Sequence, residues 1–171
     1  QAVGTLRAEE AEGRLETRLA GTLSRPRWLL AQLVVVLVGL VVIVVASSAV
    51  LALGTRWSVG EGVDSARVMT AGLAYLPAEL VLAGLALAVY GLRPRAFPAA
   101  WAAYAVAGFV AFLGPGLQLS QWVLDLAPTT HVGNPPLGST SWVDLGLLAA
   151  VGAGLAVVGA VAFRRRDIPQ G

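Results

Sequence analysis

The chain has 171 residues, of which 57% are hydrophobic and only 13% charged, with a net charge of +2. Two runs, Trp28 to Thr55 and Ala96 to Leu124, carry no charge at all, and both exceed the ~20 apolar residues that cross a ~30 Å hydrocarbon layer. The pattern excludes an ordinary soluble domain, which carries about 25% charged residues, and a net charge this small gives no basis for a nucleic-acid partner.

The first predicted element is a helix from Leu6 to about Leu23. Leu15, Leu19 and Leu23 recur every four residues and form one apolar stripe. Glu10 and Arg14 are a favourable i,i+4 pair, while Glu9, Glu12 and Glu16 add negative charge on other faces. Gly13 inside this helix costs about 1 kcal/mol relative to Ala, and close approach of another backbone is a physical reason for it. Pro26 ends the helix. Residues 1–27 are thus read as a cytoplasmic amphipathic helix lying along the membrane surface.

Residues 28–166 form the predicted transmembrane bundle, with spans at about 28–54, 68–92, 97–119 and 142–163, followed by a short tail at 167–171. Barrel strands would alternate in polarity over only ~10 residues, so helices are expected throughout. Pro77 removes a backbone donor and predicts a kink in the second span. Glu79, two residues later, is the one acidic residue deep in a span. The sequence "LRPRAFP" (Leu92 to Pro98) predicts a tight turn that makes the second and third spans antiparallel neighbours. In the third span "LGPGL" (Leu113 to Leu117) predicts a break, to be read either as a hinge or as an irregular helix end. In the loop Ser120 to Ser141, Trp122 to Leu126 suits a short amphipathic helix, and Pro128, Pro135 and Pro136 interrupt regular structure over the rest of the loop. This segment is expected on, or dipping into, the outer membrane face. Two rows of small residues in the fourth span, Gly146/Ala150/Gly154 and Gly152/Ala156/Ala160, suit close helix packing. Asp144 is expected to cap that helix.

Arginine sets the orientation, since all 12 basic residues are Arg. Five precede the first span, Arg93 and Arg95 lie between the second and third, and Arg164 to Arg166 follow the fourth. Ten of the 12 therefore fall on one side if both termini are cytoplasmic, in a multi-pass protein of a bacterial plasma membrane. Trp28, Trp57, Trp122 and Trp142 stand near span ends, as interfacial anchors do. The Arg-only, Ala/Gly/Val/Leu-rich composition fits a GC-rich genome such as an actinobacterium's. No secretory signal is visible. The first residue is Gln and not Met, so the chain is expected to be either a processed product or part of a longer polypeptide.

A lipid-binding helix normally carries a Lys/Arg-rich polar face. The segment before the first span carries four Glu instead, which favours a protein partner over a plain interfacial helix. The run "RAEEAEGRLETRLAGTLSRPRWLLAQLVV" (Arg7 to Val35) resembles the cytoplasmic coupling segment of type-2 ABC exporter permeases, in particular the actinobacterial subgroup of polyketide-antibiotic and multidrug exporters. The similarity rests on Glu9 and Glu10, Gly13 and Arg14, Glu16, Ser24 and Arg25, and Trp28 to Leu30. "QWVLDLAPTTHV" (Gln121 to Val132) and "FRRRD" (Phe163 to Asp167) are similar to that subgroup's outer segment and ending. Pro26 departs from the pattern.

The resemblance implies an all-α integral membrane protein made of the coupling helix and the last four spans of a six-span half. A second permease half would complete the assembly, as another part of the same chain or as a second copy. It further implies a cytoplasmic ABC ATPase dimer as partner, with ATP and Mg bound there. Glu9, Glu10, Gly13, Arg14 and Glu16 would seat in a groove of that subunit. Small hydrophobic drugs or polyketides would be the cargo. This chain has no Lys and hence no phosphate-loop lysine, so it is read as a transporter subunit and not an enzyme. Two readings from other classes compete: a non-transporting membrane scaffold or assembly subunit, and a proton-coupled transporter using Glu79.

A charge at the depth of Glu79 costs about 3 kcal/mol or more unless it is neutralised, paired or facing water. It is read either as part of a substrate path, together with Pro77, or as a carboxyl hydrogen-bonded to another span. The resemblance supplies no acidic residue there. The chain has no Cys and one His, His131, so thiol chemistry and clustered Cys or His metal sites are excluded. A Ser-His-Asp reading through His131, Asp125 and a loop serine lacks a nucleophile-elbow pattern.

Overall fold

The computed structural model describes residues 25–165 apart from 61, 63, 136, 137 and 139. The acidic helix expected at 6–23, with Glu9, Glu10, Gly13, Arg14 and Glu16, and the tail at 167–171 lie outside the described residues. The described residues are helical, with no strand among them.

Helix α1 spans Arg25–Val59; its stretch Leu33–Val59 is apolar, and most of that surface is exposed. Its outward Val, Leu and Ile side chains suit hydrocarbon. Its hydroxyls are satisfied within the helix: Thr55 Oγ1 donates to the Leu51 and Ala52 carbonyls, each at 3.0 Å, and Ser58 Oγ to Gly54 at 2.8 Å. This carries the span beyond residue 54, to Val59. Gly60 then takes a left-handed φ of 92° while its N–H reaches the Arg56 carbonyl at 3.0 Å, closing the helix.

Asp64 opens the second span. Its carboxylate accepts from the Ala66 and Arg67 amides at 3.0 and 3.2 Å, capping α2 (Ser65–Leu73). The expected kink is a full interruption at Ala74 and Tyr75 before α3 (Leu76–Leu92). Tyr75 N–H turns to the Gly72 carbonyl at 3.1 Å. Pro77, in the first turn of α3, has no N–H to continue the ladder.

A 3-10 turn at Pro94–Ala96 leads into α4 (Phe97–Leu113). The third span ends at Leu113, short of residue 119, because the Gly-Pro-Gly sequence after it cannot extend it. Gln118 there takes a left-handed φ of 53°. A one-turn helix α5 (Gln121–Leu124), a 3-10 turn at Pro128–Val132 and α6 (Trp142–Arg165) complete the order. Four segments are long and apolar enough to cross a membrane: Leu33–Val59, Ser65–Leu92, Pro94–Leu113 and Trp142–Arg165.

The closest helix pairing joins α3 to α6. A methyl group on Gly84 would strike the Gly152 carbonyl oxygen, and one on Gly91 would strike the Gly159 carbonyl. Seven residues separate the glycines on each helix, and the contacts advance in the same order, so the two helices run parallel. A seven-residue repeat keeps one face of each helix on the seam, and the missing side chains let the backbones touch. The row Gly152/Ala156/Ala160 lies on or beside this seam. The row Gly146/Ala150/Gly154 does not: Gly146 and Gly154 face open space, because the seam follows Leu145, Gly152 and Gly159, which are buried.

Two apolar clusters close the ends of the pair. At the arginine-rich end Tyr90 (1% exposed) stacks on Phe163 at 5.9 Å and meets Phe97 edge-on at 6.4 Å, with Leu33 of α1 against the cluster. At the other end Ala78, Leu145 and Val132 pack together. The second and third spans are joined by their turn, yet α3 packs far more extensively on α6 than on α4. Helix α1 packs chiefly on α2, where Ser48 (4% exposed) lies against Gly72.

Candidate functional site

The end of the bundle opposite Arg93, Arg95, Arg164 and Arg165 is built from the loop between α4 and α6. Gly114 leaves room for Leu124 to lie on the end of α4: a methyl group there would sit 2.5 Å from the Leu124 side chain. Polar groups fold the loop back on itself. Thr130 Oγ1 donates to the Leu124 carbonyl at 2.7 Å, and His131 Nε2 lies 2.9 Å from the Asp125 carbonyl oxygen. That contact requires the tautomer with hydrogen on Nε2. The Asp125 carboxylate is engaged elsewhere, accepting from Gln121 Nε2 at 2.8 Å. His131 and Asp125 thus meet through a backbone carbonyl, and their side chains do not form a proton-relay pair. The folded loop sets Val132 between Ala78 and Leu145, fully buried (0% exposed). The loop is therefore a plug seated in the mouth of the α3–α6 pair.

Asp144 does not cap α6 as expected. It occupies the first turn, and the cap is Ser141, whose Oγ accepts from the Asp144 N–H at 3.3 Å. Serine supplies the same oxygen acceptor three residues earlier, where the free amides begin.

Glu79 lies in the first turn of α3, just past the interruption, near the middle of the span Ser65–Leu92. Pro77 and Glu79 are thereby brought to one helix start inside the membrane. The unpaired amides of such a start carry partial positive charge that suits a carboxylate. The side chain is half-buried and shares a helical face with Ala83, Ala86 and Tyr90, at spacings of four, seven and eleven residues. Among the described residues no hydrogen-bond or ion-pair partner reaches its carboxylate, and no group of three or more His, Cys, Asp or Glu is positioned to share a metal. The sequence reading placed Glu79 and Pro77 together on a substrate path, with Pro77 as a kink. It did not show that Pro77 creates a second helix start beneath Glu79. The signal was present in the two-residue spacing, which sets a carboxylate into the first turn whenever the proline begins a helix.

The family described as "Multidrug efflux system permease Rv1217c, C-terminal domain" matches residues 1–164. The chain belongs to this family. The match runs through the acidic segment Glu9 to Glu16 as well as through all four spans. Among curated proteins, the multidrug efflux system permease protein Rv1217c of Mycobacterium tuberculosis is 36% identical over 166 residues. The alignment covers 95% of this chain and 30% of that relative, so the chain spans about a third of its length. Family membership and four membrane-capable helices make this Rv1217c-type permease domain part of a multi-pass membrane protein. Its kinship is with transporters rather than enzymes.

Proposed function

We propose that this domain is the C-terminal membrane portion of an efflux permease that exports small hydrophobic, drug-like compounds with energy from a separate ATP-binding-cassette ATPase. The observation that carries the reading is the match of residues 1–164 to the C-terminal domain of a multidrug efflux permease. These residues contain no Lys and hence no phosphate-loop lysine, which is in keeping with ATP and Mg bound outside this domain. In this reading Glu9, Glu10, Gly13, Arg14 and Glu16 form the coupling contact with that ATPase, and Arg25 begins the helix that receives the motion. Charged contacts suit the task because they fix register as well as affinity. ATP binding then drives transport by favouring one arrangement of the spans over another. A second permease half completes the pathway, and Pro77 with Glu79 contributes to its wall.

The test is ATP-dependent efflux of hydrophobic dyes by the intact permease reconstituted in vesicles with and without its co-purifying ATPase. Efflux that needs both the ATPase and ATP supports the proposal. A second reading, proton-coupled transport, is favoured by the lack of a partner for the Glu79 carboxylate among the described residues. Efflux driven by a pH gradient alone would decide for it. Co-purification of a cytoplasmic protein with no transport under either drive would point to a scaffold.

A further inference from the structure

Helix α2, the start of α3, the loop residues Pro135, Gly138 and Thr140, and the start of α6 line a cavity of about 700 Å³, within the ~300–1,000 Å³ usual for small-ligand sites. Its wall is mostly apolar, with Ala71, Pro77, Leu145 and Gly146 among its residues. Arg67 is the only charged residue among those described that line it. The Arg67 backbone is fixed by the Asp64 cap, while its side chain is exposed and no described carboxylate pairs with it. Trp142, also on the wall, is 84% exposed, and Trp57 at the same end of the bundle is 91% exposed. Exposed tryptophans at span ends mark the headgroup level, and the arginine distribution places this end outward. The cavity thus offers one cation at headgroup depth above an apolar recess that runs down to Pro77.

We propose that this cavity holds an anionic phospholipid of the outer leaflet, with its phosphate on the Arg67 guanidinium and part of an acyl chain in the recess beside Leu145 and Gly146. A guanidinium binds phosphate through paired hydrogen bonds, and an amphipathic ligand matches a site that is charged at one end and apolar below. The bound lipid would lie against Pro77, two residues from Glu79, and against Leu145, which packs on the plug residue Val132. Occupancy would therefore brace the outer end of the α3–α6 pair independently of any cargo.

The intact permease, purified from membranes and exchanged into nanodiscs of mixed phosphatidylglycerol and phosphatidylcholine, is read by native mass spectrometry for retained lipid. Retention of phosphatidylglycerol over phosphatidylcholine is expected. Arg67→Gln, at an exposed position, should lower it roughly five- to tenfold, the effect of losing one charged contact at a membrane surface. Gly146→Leu, placed where a side chain meets only open space, should lower retention of both lipids by filling the recess. Arg93→Gln at the opposite end should change nothing. Equal retention in wild type and Arg67→Gln overturns the proposal, as does loss of bound lipid on adding an anionic efflux substrate at concentrations that saturate transport. Neither readout depends on ATP-driven export, so failure of the lipid site and failure of the transport reading are separate outcomes.

Discussion

Gly91 of α3 lies against the backbone carbonyl of Gly159 in α6, too close for any side chain on either residue. Together with Gly84 and Gly152 this makes a seam of bare backbone between two parallel spans. Leu87 and Leu155 flank the glycines and fill the space beside them. In lipid such a seam is held by dispersion contacts and not by expulsion of water, so its strength depends on how closely the backbones approach.

Gly152→Leu and Gly159→Leu should therefore destabilise the permease by about 1–3 kcal/mol, the usual cost of overpacking. A methyl group on Gly152 would already sit 2.7 Å from the Leu80 carbonyl carbon. Gly154→Leu, which meets open space, should leave stability unchanged. Thermal unfolding of the purified permease distinguishes them. Equal melting of Gly152→Leu and Gly154→Leu proteins would contradict the seam.

Val132→Ala should loosen the outer plug. The side chain is fully buried against Ala78 and Leu145, and truncating a buried aliphatic residue costs about 2 kcal/mol. The loss is local, so protease cleavage within residues 120–141 should accelerate while the spans stay protected. Unchanged cleavage would mean that Val132 does not anchor the loop.

Gly72→Leu should part α1 from α2. Ser48 Oγ occupies the space beside Gly72 and donates to the Val44 carbonyl at 2.7 Å. A side chain on Gly72 must displace a helix and not a flexible tip. The melting temperature of the purified permease should fall. Gly39→Leu, facing open space, should not change it.

Glu79→Gln keeps the shape of the side chain and removes its charge. If the carboxylate attracts cationic cargo, resistance to cationic compounds should drop while resistance to neutral compounds holds. An identical resistance profile for all compounds would assign Glu79 to a structural hydrogen bond.

Glu10→Arg or Gly13→Trp should abolish ATP-dependent export while leaving the protein inserted in the membrane at normal levels. The first reverses a charge in the proposed ATPase contact, and the second fills the place where close backbone approach is expected. Full export by either variant would remove the coupling role from this segment.

The four spans were legible because hydrocarbon imposes a rule that composition alone can satisfy: about twenty residues without charge. The interruption at Pro77, the turn after Leu113 and the short helix beginning near Trp122 followed from residues with fixed backbone preferences. Helix partnership was less legible. The tight turn at Leu92 to Pro98 made α3 and α4 neighbours, and they meet at Tyr90 and Phe97, but nothing in it showed that α6 takes most of the α3 face. Four-residue spacing drew attention to two rows, Gly146/Ala150/Gly154 and Gly152/Ala156/Ala160; the seam runs beside the second and repeats every seven residues through Gly152 and Gly159. A sequence shows that a small-residue face exists but not the supercoil that decides which of two faces is used. Asp144 was mistaken for a cap because Asp and Ser have similar preference for that position, and only the helix start separates them. At the outer end, the cavity above Pro77 joins residues from four segments and had no local signature.

Where backbone meets backbone, at Gly84/Gly152 and Gly91/Gly159, there are no rotamers to rearrange. Helices α3 and α6 should then travel as a single beam, since neither can slide past the other without lifting its main chain out of the partner's groove. The span containing α3 has one weak section, Ala74 and Tyr75, where the ladder is already open. Helix α1 grips the short α2 on the far side of that section, at Ser48 and Gly72. Motion arriving along α1 would reach the α3–α6 pair at Leu33 and α2 at Ser48, and any difference between the two would flex the chain at Ala74–Tyr75, the fulcrum beside Glu79.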